Sequence, residues 1–390
     1  MIIKSVSAVR LSSRYGDGKV FGQSKGVKTV CLIKVETDSG LIGFGETYAG
    51  IYIPEIIPYI AEQLNEIVRG LELTDPLAIL QNCYIPFVSR NGIYCSVYSG
   101  FDIALWDILA QHKEIALQTL LRSYFIPEYT PVATKDRQKI KTYYSGGSAV
   151  MTAEEIAADV KQALSKGYTA FKMRAGIQTL EKDLQRIEAA RLSMPNGDIM
   201  VDAIMGTINP PWQLTQAIEF VKNCRPFNLT WVEEPLNPAN LQEMSKLTAI
   251  SEIPIAAGEA LTGELELTAY VNQNAVNILQ IDVTHCGGFS VAWHTTEMAR
   301  KKGMTLAMHV WGSACAQKAN AAFAFSHPAI EWFEFPSIEL EINQSMSPEP
   351  LVFEQGFCKE TMLPGLGLSI SENFINEYKF VPGSGYRIPS

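Results

Sequence analysis

Three acidic residues in this 390-residue chain stand at the ends of short apolar stretches: Asp202 closes DIMVD, Glu233 closes WVE and Glu259 follows IPIAAG. About thirty residues separate each from the next, the length of one strand-plus-helix unit. If the stretches are neighbouring parallel strands, the three carboxylates meet at one end of a sheet. Buried without compensation they would repel one another, so the pattern asks for a cation. Oxygen donors alone, with no Cys or His among them, favour one Mg²⁺ on Asp202, Glu233 and Glu259 over zinc or copper. Other groups at equivalent positions could move protons or hold charge. Lys172 and Arg174, two apart in FKMR, share one face of a strand. Asp282 and His309 end successive apolar stretches, so the acid would orient the imidazole and raise its basicity. A last acid, Glu334 or alternatively Glu331, ends IEWFEFP.

Positioning these groups requires a repeated element. Apolar strand ends fall near Tyr144, Lys172, Asp202, Glu233, Glu259, Asp282, His309 and Glu334, about 23 to 31 residues apart, with helical runs such as TAEEIAADVKQALSKG between them. That rhythm predicts an α/β fold of the β/α barrel type, in which side chains at the C-terminal ends of the strands converge on one mouth. Before it, residues 1 to about 50 read as an antiparallel meander, with KTVCLIKVET and LIGFGET joined by a DSG turn. The helical runs that follow include one opened by Asp75 and Pro76. The expected domains are therefore an N-terminal α+β unit over 1–130, a barrel over 131–350, and a tail over 351–390 that returns to the first unit. Segment 13–27, rich in Gly, Ser and charge, is a candidate mobile loop.

A net charge of -9 without a Lys/Arg cluster argues against nucleic acid as a partner. The seven cysteines are scattered and form no CxxC pair, which predicts buried thiols rather than a disulfide framework. No apolar run is read as long enough to cross a bilayer, and MIIKSVSAVRL reads as a strand rather than a signal peptide; no membrane and a cytoplasmic location are the expectation.

The ordered set Lys-x-Arg, VDA, WVEEP, AAGEA, LQIDVTHCGG and MHVWGS, preceded by SGFDIALWDILAQHKEIALQTLL, resembles the mandelate racemase branch of the enolase superfamily over nearly the whole chain. The resemblance implies a (β/α)7β barrel, a capping α+β domain completed by the C-terminal tail, and Mg²⁺ on Asp202, Glu233 and Glu259. It also implies abstraction of a proton next to a carboxylate, and homo-oligomers are usual among enzymes of this kind.

Two departures from the branch narrow the chemistry. Where many members carry Lys-x-Lys, with the second lysine a base, this chain has Arg174; a guanidinium is essentially never deprotonated and suits a carboxylate clamp instead. Where the family often has Asn after VDA, this chain has Ile204. With His309 and Asp282 as the single credible base, one-sided abstraction predicts β-elimination from a polyhydroxylated carboxylic acid. The expected enzyme is an acid-sugar dehydratase; the alternative is a cycloisomerase opening a sugar lactone or anhydro-sugar acid by the same step. A racemase or epimerase and a non-catalytic sugar-acid binder are the remaining alternatives. Glu334 would hydrogen-bond the substrate carboxylate while protonated, or assist the enolate oxygen, and Lys172 would stabilise negative charge beside the metal. Loop 13–27, Thr47, Tyr48, Tyr52, His285 and Trp311 are candidate substrate contacts, while Glu234, next to Glu233, is read as pointing to the opposite face.

Overall fold

The structure is a computed structural model that describes residues 1–16, 22, 25–83, 91–126, 139–338, 340–359 and 361–387. The expected boundary at 130/131 and much of loop 13–27 lie outside the described residues. An antiparallel meander opens the fold: β1 (Ile3–Arg14), β2 (Val27–Thr37) and β3 (Ile42–Thr47), with β2 in the centre. The turn between β2 and β3 needs a left-handed residue and uses Gly40, at φ +84°. Helices α1 (Ala49–Tyr52), α2 (Ile57–Val68), α3 (Pro76–Asn82), α4 (Gly92–His112) and α5 (Leu117–Phe125) follow. As the sequence predicts, α3 starts where Asp75 accepts the Leu77 N–H at 3.0 Å and Pro76 occupies the first turn.

Helix α4 corrects one expectation. Its 21 residues are long and apolar enough to cross a bilayer, yet 83% of that window is buried inside the fold. It packs on β2, β3 and a barrel helix over Gly288–Lys301 as a core helix, and so needs apolar residues all round.

The barrel strands are β4 (Lys139–Ser145), β5 (Ala170–Arg174), β6 (Asp198–Asp202), β7 (Trp231–Glu233), β8 (Ile255–Ala257), β9 (Ile278–Ile281), β10 (Thr305–Met308) and β11 (Ile330–Pro336). All are parallel, and β11 pairs with β4 to close the ring. The intervals are filled by α6 (Ala153–Ser165), α7 (Leu180–Ser193), α8 (Leu214–Cys224), α9 (Leu241–Ile250), α10 (Gly263–Asn272), α11 (Gly288–Lys301) and α12 (Ala314–Ser326), which completes the (β/α)7β order. Thr152 opens α6 through a capping box with Glu155.

The barrel interior explains where the polar groups come to lie. One buried layer joins Tyr143, Ala170, Met200, Trp231, Ala256, Ile278, Ala307 and Trp332, mixing large and small side chains that together fill the interior. Two residues further along each strand the next inward position reads Ser145, Lys172, Asp202, Glu233, Gly258, Gln280, His309 and Glu334. The period of two thus sets a polar floor directly on an apolar plug.

Beyond the barrel lie α13 (Ile342–Met346), the hairpin β12 (Val352–Glu354) and β13 (Phe357–Lys359), and α14 (Glu372–Glu377). The tail, expected to join the N-terminal unit throughout, is divided. Strand β13 pairs antiparallel with β4 of the barrel, because β4 extends beyond its barrel partner β5 at its start and offers a free edge there. Only later does the tail reach the cap, where Ser12 N–H donates to Tyr378 O and Tyr386 N–H to Ile51 O.

Cap carboxylates pin the two parts together. Glu46 on β3 accepts the N–H groups of Ser313 and Ala316 at the start of α12, and Asp102 on α4 accepts Phe289 N–H at the start of α11. Each carboxyl meets the N-terminal end of a helix, where free backbone N–H groups donate to it. Asp107 takes Leu366 N–H of the tail and Phe44 N–H of β3.

Candidate active site

The polar floor opens into a cavity of about 510 Å³ lined by Lys172, Arg174, Asp202, Glu259, His309 and Glu334 from the barrel, and by Tyr15, Tyr48 and Tyr52 from the cap. Lys172, buried at its centre, bonds Glu233 at 2.7 Å and Glu334 at 3.0 Å, with Asp202 at 3.7 Å. Burial works against the ammonium, but Glu233 and Glu334 outweigh it and hold the lysine above its ordinary pKa. The ammonium serves those two acids first and leaves Asp202 short of positive charge. Burial and the Glu233 charge push Asp202 up to about 8, and burial also raises Glu259.

Glu233 is fixed on its other oxygen by Trp231 Nε1–H at 3.1 Å and Gln280 Nε2–H at 2.8 Å. Glu334, rather than Glu331, faces the cavity; Glu331 is exposed on the other side of β11. Against the cost of burial, Lys172 and His309 hold the Glu334 carboxyl down to about 2, and it accepts Val310 N–H at 2.9 Å. It is therefore an ionised partner of the lysine.

Asp282 and His309 meet as the strand order predicts, with Nδ1 to Oδ2 at 2.9 Å. The other Asp282 oxygen accepts from Thr284 N–H, Thr284 Oγ1–H and Asn320 Nδ2–H, so the acid has one orientation. Burial would raise Asp282, but the His309 contact and these bonds keep it below its ordinary value. The imidazole moves the other way. Burial opposes its charge, but Glu259 and Asp282 raise it to about 9. Arg174 donates to Gly146 O at 2.8 Å and Ser145 Oγ at 3.2 Å; burial opposes its charge, yet Asp202 and Glu334 hold it more firmly protonated still.

Six carboxylates, Asp202, Glu233, Glu234, Glu259, Asp282 and Glu334, gather here around the cations Lys172 and Arg174 and the titratable His309. The oxygen donors and the excess of acid fit a hard divalent ion. Among the described residues, however, the carboxylates do not close on one point. Glu259 Oε2 lies 3.3 Å from His309 Nε2, and an ion on Glu259 would compete with the imidazole for that oxygen.

Several positions differ from expectation. Glu234 does not turn away from the acids. The backbone enters the left-handed region there, at φ +41°, so strand alternation no longer applies. Its carboxyl is buried with Oε1 unpartnered, and burial with the charges of Glu259 and Asp202 raises it well above the ordinary range. Thr47 is buried against Ser96, 2.9 Å away, outside the cavity. His285 also lies outside the cavity lining and packs its ring against Tyr48 at 5.1 Å. Tyr48, Tyr52 and Trp311 do line the cavity.

Tyr15, inside the expected contact segment 13–27, also lines the cavity, as does Tyr386 of the tail, which the sequence reading did not anticipate. Together these rings form a wall running from His309 to the tail, with centroids of Tyr48–His309 at 5.3 Å, Tyr52–Trp311 at 6.0 Å and Trp311–Tyr386 at 5.0 Å. Buried Lys28 braces it, donating to Trp311 O at 2.7 Å and lying 3.8 Å over the indole.

Known proteins share this architecture over most of its length. The family described as Enolase C-terminal domain-like matches residues 155–374. The mandelate racemase/muconate lactonizing enzyme N-terminal domain matches residues 19–121. A D-galactarolactone cycloisomerase of Agrobacterium fabrum is 27% identical over 361 residues, covering 89% of this chain and 90% of that protein. An L-talarate/galactarate dehydratase of Salmonella typhimurium is also 27% identical, over 94% of this chain and 88% of that one. Among solved structures, a racemase from Streptomyces coelicolor A3(2) with bound magnesium superposes with a TM-score of 0.82 at 21% identity, covering 97% of this chain and 99% of that chain.

Proposed function

Because the chain belongs to the enolase superfamily, with an enolase C-terminal domain-like barrel and a mandelate racemase/muconate lactonizing enzyme N-terminal domain, we propose that it is an acid-sugar dehydratase that abstracts the proton α to a carboxylate and eliminates the β-hydroxyl. The observation that carries this reading is the His309–Asp282 pair at 2.9 Å facing acids and a lysine, with Arg174 in the place of a second base. Asp202, Glu233 and Glu259 would hold Mg²⁺, which when bound supplies positive charge beside the substrate carboxylate.

In this scheme Arg174 binds the carboxylate and His309 Nε2 takes the α-proton. The electrons of the broken C–H bond become the Cα–Cβ double bond as the β C–O bond breaks. The imidazolium formed at His309 can return its proton to the departing oxygen, so that water leaves and the enol becomes a 2-keto acid. Lys172 balances the negative charge that develops on the carboxylate oxygens, and Glu334 keeps the lysine in place.

A second reading, ring opening of a sugar lactone or anhydro-sugar acid by the same elimination, is favoured by the aromatic wall of Tyr48, Tyr52, Trp311 and Tyr386, which suits the C–H face of a ring. A screen of aldonates, aldarates, their lactones and anhydro-aldonates with Mg²⁺ decides between the two. Loss of one water from the product marks a dehydratase, whereas an unchanged mass with a new 2-keto group marks a cycloisomerase. Silence across the panel contradicts both.

A further inference from the structure

Ile204 sits in the turn after Asp202 at φ +49°, in the left-handed region. A branched β-carbon makes isoleucine a poor fit there, where Asn and Gly are at ease. The turn itself does not require it. Ile204 N–H donates to Asp202 Oδ1 at 2.9 Å, Ala203 N–H to Glu233 O at 2.8 Å and Met205 N–H to Glu234 O at 3.1 Å, while Ile204 O accepts Thr207 N–H at 3.0 Å. Every one of these bonds uses backbone atoms of residue 204 or none of its atoms, so any side chain would leave them intact.

Nor does the Ile204 side chain serve the core. It is half-buried and belongs to none of the hydrophobic clusters; it lines the cavity beside Asp202 and Thr207. A residue held against its backbone preference, outside the core and facing the site, points to a role in the site.

We propose that Ile204 is a specificity-determining residue, presenting a branched apolar surface beside Asp202 that accepts a C–H or ring-carbon face of the substrate and disfavours a hydroxyl. A hydroxyl placed there loses its water and finds no partner. This inference rests on the elimination reading of the site and, of its two outcomes, supports the ring-opening one over loss of a β-hydroxyl from an open-chain acid.

The test is calorimetric binding, in Mg²⁺, of two probes with one carbon skeleton: acyclic D-galactonate, and 3,6-anhydrogalactonate, in which an ether ring replaces two hydroxyls. Wild type is expected to favour the ring acid by roughly tenfold or more. Ile204→Asn should compress that ratio by about the same factor and melt at a higher temperature, whereas Ile204→Val should keep both properties of the wild type. A ratio within about twofold of wild type in Ile204→Asn, a lower melting temperature for it, or no binding of either probe to the wild type overturns the inference. Because binding is read without turnover, a shifted ratio with no product defeats the elimination reading alone. Turnover of both probes at rates indifferent to Ile204 defeats this inference alone.

Discussion

His309 Nδ1 lies 2.9 Å from Asp282 Oδ2, and Thr284 and Asn320 hold the other oxygen of that acid, leaving the imidazole Nε2 aimed into the cavity toward Glu259. The relationship fixes a tautomer: Nδ1 carries the proton and Nε2 is the atom that can accept one. Replacing Asp282 with Asn turns an amide N–H₂ toward Nδ1 and favours the other tautomer, with Nε2 already protonated. We expect Asp282→Asn to lower kcat by about 10²- to 10⁴-fold, the worth of a general base, with its melting temperature close to wild type. Steady-state kinetics and thermal melting on the same preparation check it; unchanged turnover would remove the dyad from the chemistry.

Lys172 neutralises acids that are all buried. Lys172→Met conserves most of the volume and removes the charge, so Glu233, Glu334 and Asp202 face one another uncompensated. In chelator the variant should lose about 3–5 kcal/mol of stability, and Mg²⁺ should restore more of it than it adds to the wild type. Denaturant titrations with and without Mg²⁺ measure both terms. Equal sensitivity of the two proteins to Mg²⁺ would argue against an ion in this cluster.

Arg174 has no use as a base, so its removal should weaken binding rather than stop proton transfer. Arg174→Met is expected to raise KM by about tenfold to a hundredfold, the worth of a hydrogen bond between charged groups, with a smaller fall in kcat. A collapse of kcat at unchanged KM contradicts the clamp.

Asp102 supplies a pH test of how the cap is joined to the barrel. Burial pushes its carboxyl up to about 7, against about 3.9 in an unfolded polypeptide, so the folded state binds the extra proton between those values. Stability from this group is therefore fully present below about pH 4 and is lost as pH rises toward 7. Asp102→Asn lacks the titration. The stability advantage of wild type over the variant should grow as pH falls from about 7 to 4 in denaturant titrations; a constant difference would contradict the assignment.

Much of this site was legible because a parallel strand repeats with period two and a β/α unit with a near-constant length. Lys172, Asp202, Glu233, His309 and Glu334 are the polar positions two residues beyond the buried layer of Ala170, Met200, Trp231, Ala307 and Trp332. The misreadings arise where that regularity stops. Glu234 itself enters the left-handed region directly after β7 ends at Glu233, so strand alternation does not set the side it faces. Tyr386 stands in a tail without periodicity, and only tertiary contacts carry it to Trp311. Thr47 adjoins the cavity residue Tyr48 and His285 follows the strand-end acid Asp282, but both point into packing, a distinction decided by the cap's docking. The hairpin of β12 and β13 and the buried surround of α4 were likewise set by partners distant in the sequence.

The central claim is one-sided proton abstraction that ends in elimination. The most direct measurement is proton NMR of the acid-sugar panel incubated in D₂O with Mg²⁺ and either wild type or His309→Asn. Wild type should yield a 2-keto product, the variant none, and recovered substrate should show no inversion. Recovered substrate that is deuterated and inverted at the α-carbon, without 2-keto product, would contradict it.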